Sequence, residues 1–362
     1  MRLKIQFLNW AIDVQPRDAR LHAQRGWLLE QAGDAEGALR DYRRSIAFDP
    51  CIPHIHFHRG LILLQKNQPH DALADFEHEL AISAESSHVH YFRATALLLV
   101  KEDRKALEAY ALAVAAAPGD AVAYLGRGIA ADNLGEFEAA LADYTRVLEL
   151  DPNEDSACLF RAEALFSLER YEAADAGFTD ALCRGKMPAR TLLGRAATRN
   201  RLRQYSAALA DCNRCLELEE GNAAAWGERG WALLCLRRSA EAEHDLLRSL
   251  DLDPACMLAK SGLAWLYATS ADPAMHDADR AVRALACAQA IQEAVKWRSV
   301  PKQRILAAAL AENGRFAEAI AAQQVVLDLE GPEPQPQSLE QMEVYRAGRP
   351  YRHEPATEEQ WR

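Results

Sequence analysis

The chain has 362 residues, with 42 Lys plus Arg against 53 Asp plus Glu and a formal net charge of −11. That acidic balance opposes a surface that tracks phosphates, so nucleic acid is not expected as the main partner. Hydrophobic residues make up 49%, yet the longest apolar stretches, such as Ala109 to Ala117, fall far short of the ~20 residues of a membrane crossing, and no membrane insertion is expected. Eight cysteines are scattered along the chain without the density of a small secreted scaffold, which fits a reducing, cytoplasmic compartment.

Residues 1–18 carry two early basic residues but no long apolar centre and no small-residue cleavage site, so they read as structure and not as a signal peptide. Pro16 lies 34 residues before Pro50, and LKIQFLNWAIDVQP therefore reads as the second helix of a pair whose first helix is absent. Either this half-repeat caps a stack, or upstream sequence is missing.

From Ala19 to Cys256 the chain aligns on itself seven times at an interval of 34 residues, without a gap. The interval suits a helix–turn–helix unit that must bury its apolar face against neighbours. Arg25, Arg59, Arg93, Arg127, Arg161, Arg195 and Arg229 recur at the seventh place of each unit. The eighth place is small (Gly26, Gly60, Ala94, Gly128, Ala162, Ala196, Gly230) and the twentieth is alanine throughout. Small residues at facing places let two helices approach, and Tyr42, Phe76, Tyr110, Tyr144 and Phe178 at place twenty-four fill what remains. Pro50, Pro118, Pro152 and Pro254 end second helices, and Gly33 and Gly135 mark the turn within a unit.

Small at eight, alanine at twenty, aromatic at twenty-four and proline at thirty-two resembles the tetratricopeptide repeat, best seen in AVAYLGRGIAADNLGEFEAALADYTRVLELDPNE at 121–154. The resemblance implies an all-α fold, a right-handed superhelical solenoid of helix hairpins. It implies a binding scaffold and leaves the partner open.

After Cys256 the interval between unit starts widens, from Met257 to Val300, with extra residues in ATSADPAMHDADR and near KWRSVPK. Residues 257–329 thus read as two divergent units. They resemble the C-terminal pair of many bacterial tetratricopeptide proteins, as does the tail VYRAGRPYR, and some relatives carry such arrays beside signalling domains, including kinases. Residues 330–362 open on the breaker-rich EGPEPQPQ, and Ser338 with Gln341 reads as a capping box starting a terminal helix that Gly348 and Pro350 close.

Five of the arginines have an acid at place twenty-three: Arg25 with Asp41, Arg59 with Asp75, Arg127 with Asp143, Arg195 with Asp211 and Arg229 with Asp245. Helical spacing points both members into the seam between the helices of one unit, so a structural ion-pair ladder is expected. The divergent units lose both members together, as a seam pair requires and an arginine-lined ligand groove does not. Arg93 and Arg161, facing Ala109 and Gly177, are the weakest rungs.

In the family that the chain resembles, the concave wall is lined by places two, five, nine, twelve and thirteen of each first helix. Carried over, those places supply Trp27, Phe57, Leu61, Tyr91, Leu98, Leu125, Ile129, Phe166, Trp231 and Trp265, with His54, His88, Arg190 and Asn200 to set register. Such residues offer anchor pockets for a peptide or helix, and the alternative is that some only pack against the next unit. No unit has the lysine at five and asparagine at nine with which chaperone-binding relatives clamp a C-terminal carboxylate.

His54, His56 and His58, joined by His88 and His90, raise a metal or pH-responsive reading, because His54 and His58 stand four apart. Against it, His22, His56 and His90 occupy place four, a ring slot that Tyr124 and Trp226 fill elsewhere. Cys212 and Cys215 fall on core places of a second helix and are read as packing residues. No phosphate loop, nucleophile elbow, metalloprotease helix or kinase set occurs. The expectation is a non-catalytic protein-interaction scaffold without metal or cofactor. The alternatives are a regulatory or substrate-recruiting arm of a larger catalytic or signalling polypeptide and a metal-responsive module.

Overall fold

Each 34-residue period folds as two packed helices joined by a short turn. The computed structural model describes residues 1–84, 86–185, 187–270, 272–294 and 299–352, and helices supply all the regular structure among them. One body, Met1–Arg170, carries α1 (Arg2–Val14), α2 (Ala19–Gln31), α3 (Ala35–Phe48), α4 (Ile55–Gln65), α5 (Pro69–Ile82), α6 (Ser87–Leu99), α7 (Asp103–Ala116), α8 (Ala121–Asn133), α9 (Phe137–Leu150) and α10 (Asp155–Ser167). The other begins at Tyr171. It carries α11 (Tyr171–Arg184), α12 (Pro188–Arg201), α13 (Tyr205–Leu218), α14 (Ala223–Cys235), α15 (Ser239–Leu252), α16 (Met257–Thr269), α17 (Ala278–Ala294), α18 (Val300–Glu312), α19 (Phe316–Glu330) and α20 (Pro336–Arg346).

At α2, α3, α8, α10 and α14 a side chain satisfies free backbone N–H groups at the helix start. Asp18 accepts from Arg20 N at 2.9 Å, Asp34 from Gly37 N at 2.8 Å and Asn222 from Ala225 N at 3.0 Å. First helices end on a left-handed residue, so that the next two amides turn back onto the last carbonyls. Gly33 N donates to Glu30 O and Asp34 N to Leu29 O, and Lys101 N and Glu102 N repeat this with Leu98 O and Leu97 O. Gly33 has φ 80°, but the same turn is made by Lys101 at φ 64°, where a β-carbon is strained. Lys101→Gly is therefore expected to stabilise the chain by about 0.5–1 kcal/mol, read as a higher urea midpoint.

Where place eight is glycine, the seam inside the unit leaves no room for a β-carbon. A β-carbon on Gly60 would lie 2.6 Å from Phe76 Cε1, and one on Gly128 2.6 Å from Tyr144 Cε1. Ala38, Ala72, Ala106, Ala140, Ala174, Ala208 and Ala242 are fully buried, because place twenty faces the partner helix at close range.

Place four has a second duty. His22 Nε2 donates to Pro16 O at 3.0 Å, His56 Nε2 to Pro50 O at 3.1 Å, His90 Nε2 to Ala84 O at 2.9 Å and Trp226 Nε1 to Glu220 O at 2.8 Å. Each ring N–H thus serves a carbonyl six residues back, in the turn that leads from the preceding unit, where the helix no longer supplies a donor.

The extra residues in ATSADPAMHDADR include a 3₁₀ turn, Pro273–Met275, and α17 is longer than the second helices before it, while the start of the expected addition at KWRSVPK lies outside the described residues. The terminal helix differs from its expected start: α20 opens at Pro336 with Gln335 as its cap, and no side chain caps it. Proline at the first helical position presets φ and moves the start three residues earlier, from a cap at Ser338 to one at Gln335. Ser338 and Gln341 are consequently buried inside the helix, where Ser338 Oγ donates to Glu330 Oε1 at 2.9 Å. Beyond it Tyr351 is buried, and Arg352 Nη1 reaches Ala268 O at 3.2 Å and Glu312 Oε2 at 2.5 Å.

Candidate functional site

Helix α1 buries Leu8 and Ile12 but leaves Leu3, Phe7, Trp10 and Val14 exposed at 81, 62, 62 and 60%. Their spacing of three or four residues puts them on one face, and the rings of Phe7 and Trp10 lie 5.9 Å apart. Beside that face a cavity of about 640 Å³ is lined by Leu3, Lys4, Phe7 and Leu8 of α1, Ala23, Gln24, Trp27 and Leu28 of α2, Tyr42, Ile52, and Pro53 to Ile55 with His58 at the start of α4. Trp27 stands at its edge, 47% exposed. The volume lies within the range of ligand and peptide-anchor sites.

The polar groups of this groove are already placed. Tyr42 Oη donates to Glu30 Oε2 at 2.6 Å, and His58 Nδ1 lies 3.2 Å from the same oxygen. Burial alone pushes the Glu30 carboxyl up, but the hydrogen bonds from His58 and Tyr42 outweigh it and hold it below its ordinary value. Burial and the same carboxylate push the Tyr42 hydroxyl upward, so it stays a donor.

Two of the residues expected on the groove, Trp27 and His54, meet in this cavity. His54 is the residue before α4, at φ 67°, and its backbone N–H donates to Glu79 Oε1 at 2.8 Å. It is therefore not part of the helix, and the expected pairing of His54 with His58 on one helical face does not occur. The positive φ lets the chain turn from Pro53 into α4, a bend that helical spacing alone does not foresee.

Most of the other expected groove residues are half-buried against rings of their own unit or of the next. Phe57 packs at 6.1 Å from Phe76 and 5.6 Å from Phe92, with Leu61 against the same cluster. Tyr91 lies 5.7 Å from Tyr110, Leu98 packs with them, and Leu125 and Ile129 pack around Tyr144. Phe166 and Trp231 are half-buried, and His88 and Arg190 are exposed. Asn200 is buried, and its amide donates to Glu228 O at 3.0 Å and Glu228 Oε2 at 2.7 Å. That amide is committed to the neighbouring first helix and not presented to a ligand. Burial pushes the Glu228 carboxyl up. Trp265 lines a separate cavity of about 590 Å³ with Leu234, Arg237 and Ser270.

The five arginine–aspartate pairs are bidentate. Nε and Nη2 reach the two carboxylate oxygens at 2.6 and 2.7 Å in Arg25–Asp41, 2.7 and 2.5 Å in Arg59–Asp75, and 2.8 and 2.6 Å in Arg127–Asp143. Arg195–Asp211 gives 2.9 and 2.7 Å, and Arg229–Asp245 gives 2.6 and 2.9 Å. All five aspartates are buried. Arg229 also lies 4.4 Å over the Trp226 ring, and Arg127 5.2 Å over Tyr124. Among the described residues the carboxylate nearest to Arg93 is that of Glu77, at 3.9 Å. Among the described residues no three His, Cys, Asp or Glu side chains are placed to hold a metal ion, and no helix is long and apolar enough to cross a membrane.

What the sequence reading missed is α1. Residues 1–18 read as a half-repeat or capping helix, and the exposure of Leu3, Phe7, Trp10 and Val14 along one side of it is seen only in the structure.

Family models described as the tetratricopeptide repeat match residues 57–121 and 121–154. No curated protein matches the sequence. Among solved structures, the chain is similar to the C-terminal part of a TPR repeat-containing protein from Cytophaga hutchinsonii, at 18% identity over 66% of this chain and 98% of that one, with a TM-score of 0.52. A tetratricopeptide repeat protein from Parabacteroides merdae gives 18%, 69%, 98% and 0.50. YrrB, described as a TPR protein with an unusual peptide-binding site, gives 23%, 51%, 95% and 0.48. At these identities the likeness is one of fold.

Proposed function

The chain is a tetratricopeptide repeat protein, and from that premise we propose that it is a non-catalytic scaffold that captures an apolar segment of a protein partner. The observation that carries this reading is the groove beside α1, where exposed Leu3, Phe7 and Trp27 border a cavity of about 640 Å³. Aromatic anchors beside a preformed apolar pocket are the residues that dominate binding energy, and a monomer gains nothing by exposing them together. A partner helix or extended strand would seat apolar side chains there, while Lys4, Gln24 and His54 at the rim set its register. Trp265 and its cavity offer a second anchor on the other body.

Capture of partners from the native cell, with variants as controls, tests the assignment. Trp27→Ala and Phe7→Ala are each expected to reduce capture about 30-fold, the equivalent of about 2 kcal/mol, with an unchanged melting curve because both side chains are exposed. Trp265→Ala reports in the same way on the second cavity. Tyr91→Ala is expected to lower the melting temperature, because that ring packs against Tyr110. Undiminished capture by folded Trp27→Ala and Phe7→Ala would remove the groove assignment.

A further inference from the structure

We propose that the third repeat holds a carboxylate-binding site, formed by His90 and Arg93 around Ala109, for a small carboxylic acid or the acidic side chain of a partner. The first two repeats show what such a site receives. Asp75 takes Arg59 Nε at 2.7 Å, Arg59 Nη2 at 2.5 Å and His56 Nδ1 at 3.1 Å, while His56 Nε2 stays on Pro50 O. Asp41 is held likewise by Arg25, with His22 Nδ1 at 3.5 Å.

In the third repeat the donors remain and the acid is gone. His90 keeps the bond of Nε2 to Ala84 O at 2.9 Å, and Arg93 occupies the arginine place. The residue that would carry the carboxylate is Ala109, which is buried. His90 Nδ1 and Arg93 Nε are buried without a hydrogen-bond partner among the described residues. These two atoms occupy the repeat places from which His56 and Arg59 hold Asp75, and leaving each without an acceptor costs free energy that a carboxylate would recover.

The surroundings select the ligand. Glu77 on α5 lies 3.9 Å from Arg93 Nη2, beyond hydrogen-bond range, and is exposed. Lys105 on α7 is paired with Glu102 and feels the charge of both Glu77 and Arg93. Asp120, at the start of α8, acts on Tyr91. The permanent guanidinium charge therefore calls for an anion, and its planar fork matches a carboxylate. Ala109 stands where five of the other repeats carry an aspartate, so the ligand group to be expected there is one carboxylate. With the ligand in place, His90 keeps its Nε2 bond to Ala84 O and turns Nδ1 to the carboxylate.

The test is titration of carboxyl-labelled ¹³C-acetate, and in a second arm a blocked Gly-Asp-Gly peptide, followed by NMR line broadening of the ligand. Wild type is expected to broaden acetate saturably, with affinity at least 10-fold weaker in Ala109→Asp, which supplies its own carboxylate, and in Arg93→Gln. If Ala109→Asp does not fold, Arg93→Gln decides alone. Binding of acetate but not peptide assigns the site to small acids, and binding of both assigns it to acidic side chains. No saturable binding of either ligand, or equal binding by wild type and Arg93→Gln, overturns the proposal.

Discussion

Asp75→Ala is expected to cost about 3–5 kcal/mol of stability, the usual loss when one partner of a buried ion pair is removed. The carboxylate is 1% exposed and takes three contacts, two from Arg59 and one from His56. Its deletion strands a guanidinium and an imidazole that water reaches poorly, which outweighs the packing lost with the side chain itself. Urea unfolding of Asp75→Ala against wild type measures the loss. Replacing Asp75, Arg59 and His56 together by apolar residues of similar volume should recover most of it, because a buried pair contributes little net stability while it is intact. A loss below about 1 kcal/mol in the single variant would mean that Arg59 and His56 reach solvent by a small rearrangement, as for a surface pair.

The pH dependence has a definite sign. Burial pushes the Asp75 carboxyl up, but the hydrogen bonds from His56 and Arg59 together outweigh it and hold it below the ordinary carboxylate range. A carboxyl whose folded pKa is depressed stabilises the fold above its unfolded value, near 3.9, and loses that contribution as pH falls through the folded value. Wild type should therefore lose stability below about pH 4 more steeply than Asp75→Ala. Parallel curves for the two proteins would dissociate Asp75 from the acid limb.

Phe76→Ala is expected to cost a further about 3–5 kcal/mol, independently of the ion pair. The ring is fully buried and fills the seam left by Gly60. Because a β-carbon on Gly60 would meet Phe76 Cε1 at 2.6 Å, Gly60→Ala alone should destabilise by about 1–3 kcal/mol through overpacking. The double variant Gly60→Ala with Phe76→Leu tests the coupling, since a smaller partner leaves room for the methyl group. Its loss should be smaller than the sum of the two single losses, and strict additivity would show that the two residues do not share one space.

The placing of the helices was legible in the sequence because repeats make it redundant. Arg59 and Asp75 are 16 residues apart in one unit, and the same separation recurs in Arg25–Asp41 and Arg229–Asp245. The carboxylate site of the third repeat is legible only by comparison between units. Ala109 is unremarkable until His90 Nδ1 and Arg93 Nε are seen to be buried without an acceptor. The terminal helix was misread at its start because a capping box and a proline compete for the same turn, and Pro336 takes it.

The groove was legible only in part. Trp27 and Phe57 both belong to the expected wall, yet Trp27 is exposed, while Phe57 lies between Phe76 and Phe92. Local spacing assigns a face to each residue but cannot say whether a neighbouring unit covers that face.

By itself, then, the sequence determined the all-α repeat and the five places where an arginine and an aspartate recur at one separation along a hairpin, because both follow from a constant period. Tertiary structure alone decided which apolar side chains remain open to a partner. Exposure depends on how closely successive hairpins stack and on what lies over the first of them, and at α1 the face carrying Leu3, Phe7 and Trp10 is left uncovered.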